Sequence, residues 1–248
     1  MRARNILFLT HRLPFPPNKG DKVRSYHLLK HLAERHRVFL GTFIDDPADE
    51  CHAETVRKLC AALMAVRLRP RVARILSLSA LLTGEPLTLK YYRNKQLQEW
   101  VTRTVREQQI DTVVVFSSAM AQYVNGMQGL RSLVDFVDVD SAKWSQYADK
   151  RSWPLSWLYR REAAKLLAFE QATAESAAAS FFVTDSEVRL FRSLTPGCDA
   201  HVETMCNGVD TEYFSPGVAA QVASSPVRPA DGPVVFPGPR RRWPTFHP

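Results

Sequence analysis

Short apolar runs alternate with amphipathic stretches along most of the chain. The run Asn5-Ile-Leu-Phe-Leu9 predicts a first strand, and from Lys22 to Arg35 the residues Val23, Tyr26, Leu29 and Leu32–Ala33 recur at helical spacing. Arg37–Phe43 predicts a second strand. The segment from Asp45 to Ala65 opens with Asp/Pro turn chemistry and an acidic first turn, so it predicts a helix. Val66–Pro70 is a short strand candidate, and the helical pattern after it stops at Gly84. Tyr92–Gln109 predicts a helix, and the β-branched run Thr112–Phe116 a buried strand. Arg131–Asp140 predicts a strand, Leu155 to about Ala179 a long helix, and Ser180–Asp185 a strand. A helix capped by Ser186 follows, then a last strand closing on the turn Asn207-Gly208.

Strands that alternate with helices in this way predict the doubly wound α/β class, a Rossmann-like parallel sheet wrapped by helices. In such sheets ligands sit beyond the carboxyl ends of the strands. The connection after the first strand, Thr10-His-Arg-Leu-Pro-Phe-Pro-Pro-Asn-Lys-Gly20-Asp-Lys-Val-Arg-Ser25, lies at such an end. Ordinary connections in α/β units take about 2–6 residues. This one is longer and carries charge. Gly20 permits close backbone approach to a ligand, and the helix after it offers free N–H groups to an anion. Lys22 and Arg24 gain nothing from the helix dipole in a first turn, so an anion nearby would account for them. A rigid Pro-rich turn with solvated charges accounts for them equally well. No Walker or GxGxxG pattern is present.

Two further strand ends carry polar groups. Asp135, Asp138 and Asp140 precede Ser141 and Lys143; on a continuous strand, Asp138 and Asp140 would share one face and Asp135 the other. Paired carboxylates there could bind sugar hydroxyls, bind a metal or act as a base, or Asp140 or Ser141 could simply cap the next helix. Ser117 and Ser118 follow Phe116 and are expected to cap a helix there, with ligand contact as a second role.

Composition narrows the picture. At 248 residues, 45% hydrophobic and 23% charged, the chain is long enough for a substantial core. Its apolar runs are too short for a membrane span or a secretory leader, which predicts a cytoplasmic protein. Cys51, Cys60, Cys198 and Cys206 show no CxxC or metal-ligand spacing. His27 and His31 are four apart, but without a third ligand they predict no metal site. The net charge of +8 fits an acidic partner. A nucleic-acid module is disfavoured, because no helix-turn-helix, RRM or zinc pattern accompanies the charge. Two basic, apolar stretches read first as ordinary solvated faces, with an anionic membrane face as the alternative partner: Val66–Arg74 running into Ile75–Leu82, and Trp153 and Trp157 with Arg160 and Arg161. Half of the 16 prolines fall between Pro216 and Pro248, a Pro/Arg-rich tail for which no independent fold is expected.

The stretch Thr10–Val38, Phe116–Val124, Asp135–Ala148 and the terminal Asn207-Gly-Val-Asp210-x-x-x-Phe-x-Pro216 together resemble family 4 glycosyltransferases of the GT-B fold. They are most similar to the sugar transferases of PEP-CTERM/exosortase exopolysaccharide systems. The resemblance covers about residues 4 to 216 and implies the N-terminal, acceptor-binding half of a GT-B enzyme, residues 1–215. It implies retaining hexosyl transfer from a nucleotide-sugar, as co-substrate, to a polysaccharide or lipid-linked acceptor. No cofactor and no metal are implied, and contact would be cytoplasmic or peripheral at the inner face of the plasma membrane. Gly20 and Arg24 would meet the donor diphosphate. Ser117, Ser118, Asp138, Asp140 and Ser141 would be acceptor-side residues, with Asp138 and Asp140 the catalytic candidates. Asn207, Gly208 and Asp210 would mark the hinge. Many family 4 enzymes carry a histidine after the fourth main strand, where this sequence has Phe116-Ser117-Ser118. After Gly232-Pro-Val-Val-Phe236 the family continues into a donor-binding domain, whereas residues 216–248 read as a truncated or frameshifted start of it. The chain alone is therefore expected to be inactive or nearly so. The alternatives are a non-catalytic sugar- or nucleotide-binding module and one half of a split transferase.

Overall fold

The computed structural model describes residues 3–208. The chain divides into two units, of which the first ends at Asn207 and contains the whole sheet. The expectations for Asp210 and for residues 216–248 lie outside the described residues.

Seven strands form one all-parallel sheet: β1 (Asn5–Thr10), β2 (Arg37–Ile44), β3 (Ala62–Arg67), β4 (Thr112–Phe116), β5 (Arg131–Val137), β6 (Ala179–Phe182) and β7 (Val202–Thr204). Their order is β3-β2-β1-β4-β5-β6-β7. The order reverses between β1 and β4, so their carboxyl ends form the topological switch point where such sheets bind ligands. Both faces are covered, which is why β1, β2 and β4 are near-continuous apolar runs. Alternate residues feed two cores. Leu7 and Leu9 join Val113, Val115 and Phe136 on one face. Ile6 and Phe8 join Val38, Leu40, Val114 and Leu29 on the other. Leu29 belongs to α1 (Gly20–Ala33). Leu97 and Val101 of α6 (Lys95–Glu107) cover the first face.

The remaining helices are α2 (Ala53–Arg57), α3 (Pro70–Ser77), α4 (Ala80–Thr83), α5 (Leu87–Tyr91), α7 (Asp140–Asp149), α8 (Leu155–Ser176) and α9 (Asp185–Leu194). Gly84 ends α4 in the left-handed conformation expected of a helix stop, at φ 74°.

Four boundaries differ from the sequence reading. Within 45–65 the chain makes a 3-10 turn (Pro47–His52) and the short α2, then enters β3 at Ala62. Parallel pairing of Leu40 with Leu63 and burial of Leu63 and Val66 override the helix propensity of Ala-Ala-Leu-Met-Ala. The helix expected over Tyr92–Gln109 starts only at Lys95, because the Asn94 side chain caps α6 by accepting the Leu97 N–H at 3.0 Å, and the separate α5 precedes it. Thr184, not Ser186, caps α9. Finally, β5 stops at Val137, so Asp138 and Asp140 are not strand residues.

Candidate active site

At the switch point, β1 delivers His11 and Arg12, β4 delivers Ser117 and Ser118, and β5 delivers Val137 and the start of α7. Most charges of the long loop after β1 and of the helix turn that follows are matched inside the protein. Lys22 is buried and donates to Asp49 at 2.5 Å. Arg12 donates to Asp21 at 2.9 Å and lies 2.8 Å from Asp45. Arg24 donates to Asp135 through Nε at 2.7 Å and Nη2 at 3.2 Å, and through Nη1 to Asn207 Oδ1 at 3.0 Å. The basic residues of this first turn thus have carboxylate partners within the fold. Lys22 is no anion ligand. Arg24 is a bridge from α1 to β5 and to Asn207, where the hinge was expected. Gly20 is exposed, and the space where a Cβ would project is empty to 4 Å, so packing does not demand glycine there.

Asp135 is buried beneath this bridge. Burial raises its carboxyl above the usual range even against the pull of Arg24. Two residues on, Val137 adopts φ 69°, a strained conformation for a β-branched residue. The sheet register shifts between Asp135 and Val137, and the Val137 N–H returns to Asp135 Oδ1 at 3.2 Å. This kink turns the chain out of the sheet. It places Asp138 in the turn and Asp140 at the first position of α7. The two carboxylates still converge, not by strand alternation but through Lys143, whose Nζ donates to Asp138 at 2.8 Å and to Asp140 at 3.0 Å. Burial works to lower the Lys143 pKa, but the two aspartates outweigh it and hold the ammonium well above its ordinary value.

The serines are less open than the sequence implied. Ser141 is buried and donates its hydroxyl to Glu170 at 2.5 Å, with its N–H on the same carboxylate at 3.3 Å. Neither Asp140 nor Ser141 caps α7. The side chains of Glu170 and Glu187 do so instead, Glu187 accepting the Val139 N–H at 2.7 Å. Burial pushes the Glu170 carboxyl up to about 8. Ser118 is buried, and its hydroxyl has no partner among the described residues. Ser117 turns the chain at φ 80°, its N–H bound to the Asp135 carbonyl at 2.8 Å, and makes no side-chain cap.

His11 is a residue the sequence reading passed over. Its ring lies parallel to Phe116 at 5.9 Å and edge-on to Tyr92 at 6.0 Å. Its Nε2 is 3.3 Å from Asp21 Oδ2. Burial opposes ionisation of Asp21, but His11 and Arg12 beside it hold the carboxyl well below the usual range. An imidazole thus lies against Phe116, the last residue of β4, and it comes from the end of the neighbouring strand β1. The signal was present as Thr10-His-Arg, but only the sheet order makes β1 and β4 adjacent. Half-buried Tyr92 stands within electrostatic reach of Arg12, Asp45 and Asp140, and burial raises its phenol pKa.

No family model matches the chain, and no curated protein does. Solved structures do. The chain superposes on sucrose-phosphate synthase from Thermosynechococcus elongatus with TM-score 0.58 at 14% identity, over 93% of this chain and 54% of the synthase. It superposes on Phytolacca americana UGT2 complexed with UDP-2-fluoro-glucose and pterostilbene with TM-score 0.51 at 8% identity, over 86% of this chain and 56% of that one. TcCGT1 in complex with UDP gives TM-score 0.50 at 11% identity, over 90% and 56%. The seven-stranded parallel sheet is thus the Rossmann-like α/β unit of the GT-B glycosyltransferase fold. The chain spans a little over half the length of these structures.

Proposed function

We propose that this domain is the acceptor-side half of a nucleotide-sugar-dependent glycosyltransferase of the family 4 kind. It would serve retaining hexosyl transfer to a polysaccharide or lipid-linked acceptor in exopolysaccharide synthesis. The observation that carries the reading is that His11 and Gly20, Ser117, and the Asp138–Lys143–Asp140 cluster follow the carboxyl ends of β1, β4 and β5, three neighbouring strands of a GT-B-type sheet. Structural neighbours crystallised with UDP and a UDP-sugar support the choice of donor class.

In this reading Asp138 and Asp140 accept hydrogen bonds from acceptor hydroxyls, and Lys143 keeps both carboxylates ionised and aimed. His11, with its ring clamped between Phe116 and Tyr92, faces the reacting sugar. The open space at Gly20 admits the donor diphosphate. Arg24, anchored on Asp135, keeps one N–H each on Nη1 and Nη2 beyond its partners among the described residues, and these can meet the same diphosphate. In the GT-B arrangement the donor's nucleotide is held by a second Rossmann-like domain, which faces the acceptor-side one.

The test is calorimetric titration of the 248-residue chain with oligosaccharides of the exopolysaccharide and their lipid-linked forms. Binding is expected, and the double variant Asp138→Asn/Asp140→Asn should weaken it about tenfold or more, the worth of hydrogen bonds to charged groups. The melting temperature should stay within a few degrees. Absence of any glycan binding, or a double variant that binds like the parent, refutes the acceptor role.

A further inference from the structure

Among the described residues twelve large apolar side chains are exposed, and ten of them fall in two segments. The first is α3–α4, where Ile75 is 70% and Leu82 92% exposed, with Val72, Leu76, Leu78 and Leu81 beside them. The second spans the end of α7 and the start of α8, where Trp153 is 81% and Trp157 55% exposed. The two segments are neighbours. Arg161 of α8 donates to the carbonyls of Ala80 at 2.8 Å and Glu85 at 3.1 Å. Trp157 lies one helical turn before Arg161 on the same face of α8.

The charge around this apolar surface is predominantly positive. No acidic residue occurs between Glu54 and Glu85, while Arg69, Arg71 and Arg74 lie in or next to α3. Lys150, Arg151 and Arg160 flank the tryptophans, against Asp149 alone on that side. Exposed aliphatic side chains, neighbouring exposed tryptophans and adjacent arginines are what an anionic bilayer surface matches. The apolar groups enter the acyl boundary, the indoles sit at headgroup depth, and the arginines meet lipid phosphates. A second copy of the chain is a poorer partner, since a two-fold contact would set the same arginines against one another.

We propose that α3–α4 and the α7–α8 junction together form a docking surface for an anionic membrane. The surface leads to the candidate site. α3 packs on α5, and α5 ends at Tyr91, next to Tyr92 and through it to His11. A lipid-linked acceptor held in that bilayer would present its glycan to Asp138 and Asp140. This last use rests on the proposed transfer, whereas the docking does not.

The test is co-sedimentation of the 248-residue chain with vesicles of phosphatidylcholine alone and of an equal mixture with phosphatidylglycerol, with no sugar present. Binding to the mixed vesicles is expected. Ile75→Ser/Leu82→Ser should weaken it about tenfold or more, and Arg69→Ala and Arg71→Ala about fivefold each. Both apolar positions are exposed, so the variant should melt like the parent. If it does not, Trp153→Ser/Trp157→Ser serves the same purpose from the second segment. Three results overturn the proposal: no sedimentation with the mixed vesicles, equal binding to both compositions, and binding that the variants leave unchanged, as the arginines at 240–242 would give. A dimer in sedimentation equilibrium that the Ile75/Leu82 variant dissociates would assign the face to a second copy and equally overturn it. Vesicle binding without glycan binding would retain the docking surface and reject the acceptor role, so the two readings fail separately.

Discussion

Replacing Arg24 by methionine keeps the aliphatic stem of α1 against the sheet and removes only the guanidinium. The buried Asp135 carboxylate then loses two of the donors that face it and keeps the Val137 N–H at 3.2 Å. An ionised carboxylate left in that position costs about 3–5 kcal/mol, far more than an exposed ion pair, which is worth about 0–1 kcal/mol. The cost depends on pH, with a definite sign. The Asp135 carboxyl is already raised by burial with Arg24 present, and losing the cation raises it further. As pH falls through the carboxylate range the variant takes up a proton there and sheds the unpaired charge, so its deficit relative to the parent shrinks. Adding Asp135→Asn to Arg24→Met removes the charge at every pH and should recover a large part of the loss. Guanidinium denaturation of parent, single and double variants at pH 7.5 and pH 4.5 reads all of this directly. A deficit below about 1 kcal/mol at pH 7.5, or one of equal size at both pH values, would show that the pair is solvated and that Arg24 is free for another partner.

Glu170 supplies a second pH test. Its folded-state carboxyl near 8 stands above an ordinary value of 4.5, so the folded protein retains a proton that the unfolded chain releases between those values. Stability should therefore fall as pH rises through that window, by up to about 5 kcal/mol at about 1.36 kcal/mol per unit. Glu170→Gln should flatten the slope, and parallel stability curves for parent and variant would refute it. Gly41, in the middle of β2, leaves no room for a methyl group: a Cβ there would lie 2.9 Å from Leu9 Cδ2, 3.1 Å from Leu97 Cδ1 and 3.2 Å from Trp100 Cζ3. Gly41→Ala should cost about 1–3 kcal/mol by overpacking between β1 and α6, and an unchanged denaturation midpoint would mean that the three side chains yield without strain.

Much of the fold was legible in the chain because parallel strands buried on both faces write themselves as uninterrupted apolar runs. Asn5–Leu9, Arg37–Phe43 and Thr112–Phe116 are such runs, and their predicted ends agree with the observed ones to within a residue. Legibility failed where tertiary pairing competes with local preference. Ala62–Arg67 has helix-favouring residues, yet it is a strand because β2 offers an open edge and two buried positions. Thr184 caps α9 ahead of Ser186 because the chain leaves β6 at Phe182, three residues before the predicted end at Asp185.

The candidate site divides along the same line. Sequence alone determined that polar residues cluster after β1, β4 and β5, and that these ends face one side of a parallel sheet, because strand–helix alternation leaves no other arrangement. Which of those residues are open to a ligand was decided only by the three-dimensional structure. Lys22, Arg24 and Ser141 read as exposed polar groups, but each meets a buried carboxylate distant in sequence, at Asp49, Asp135 and Glu170. His11 read as part of a turn, and it stands at the switch point because β1 and β4, more than a hundred residues apart, are neighbours in the sheet. A carboxylate's partner and a ring's stacking face are properties of long-range contacts. Local sequence carries the chemical groups but not the distances between them.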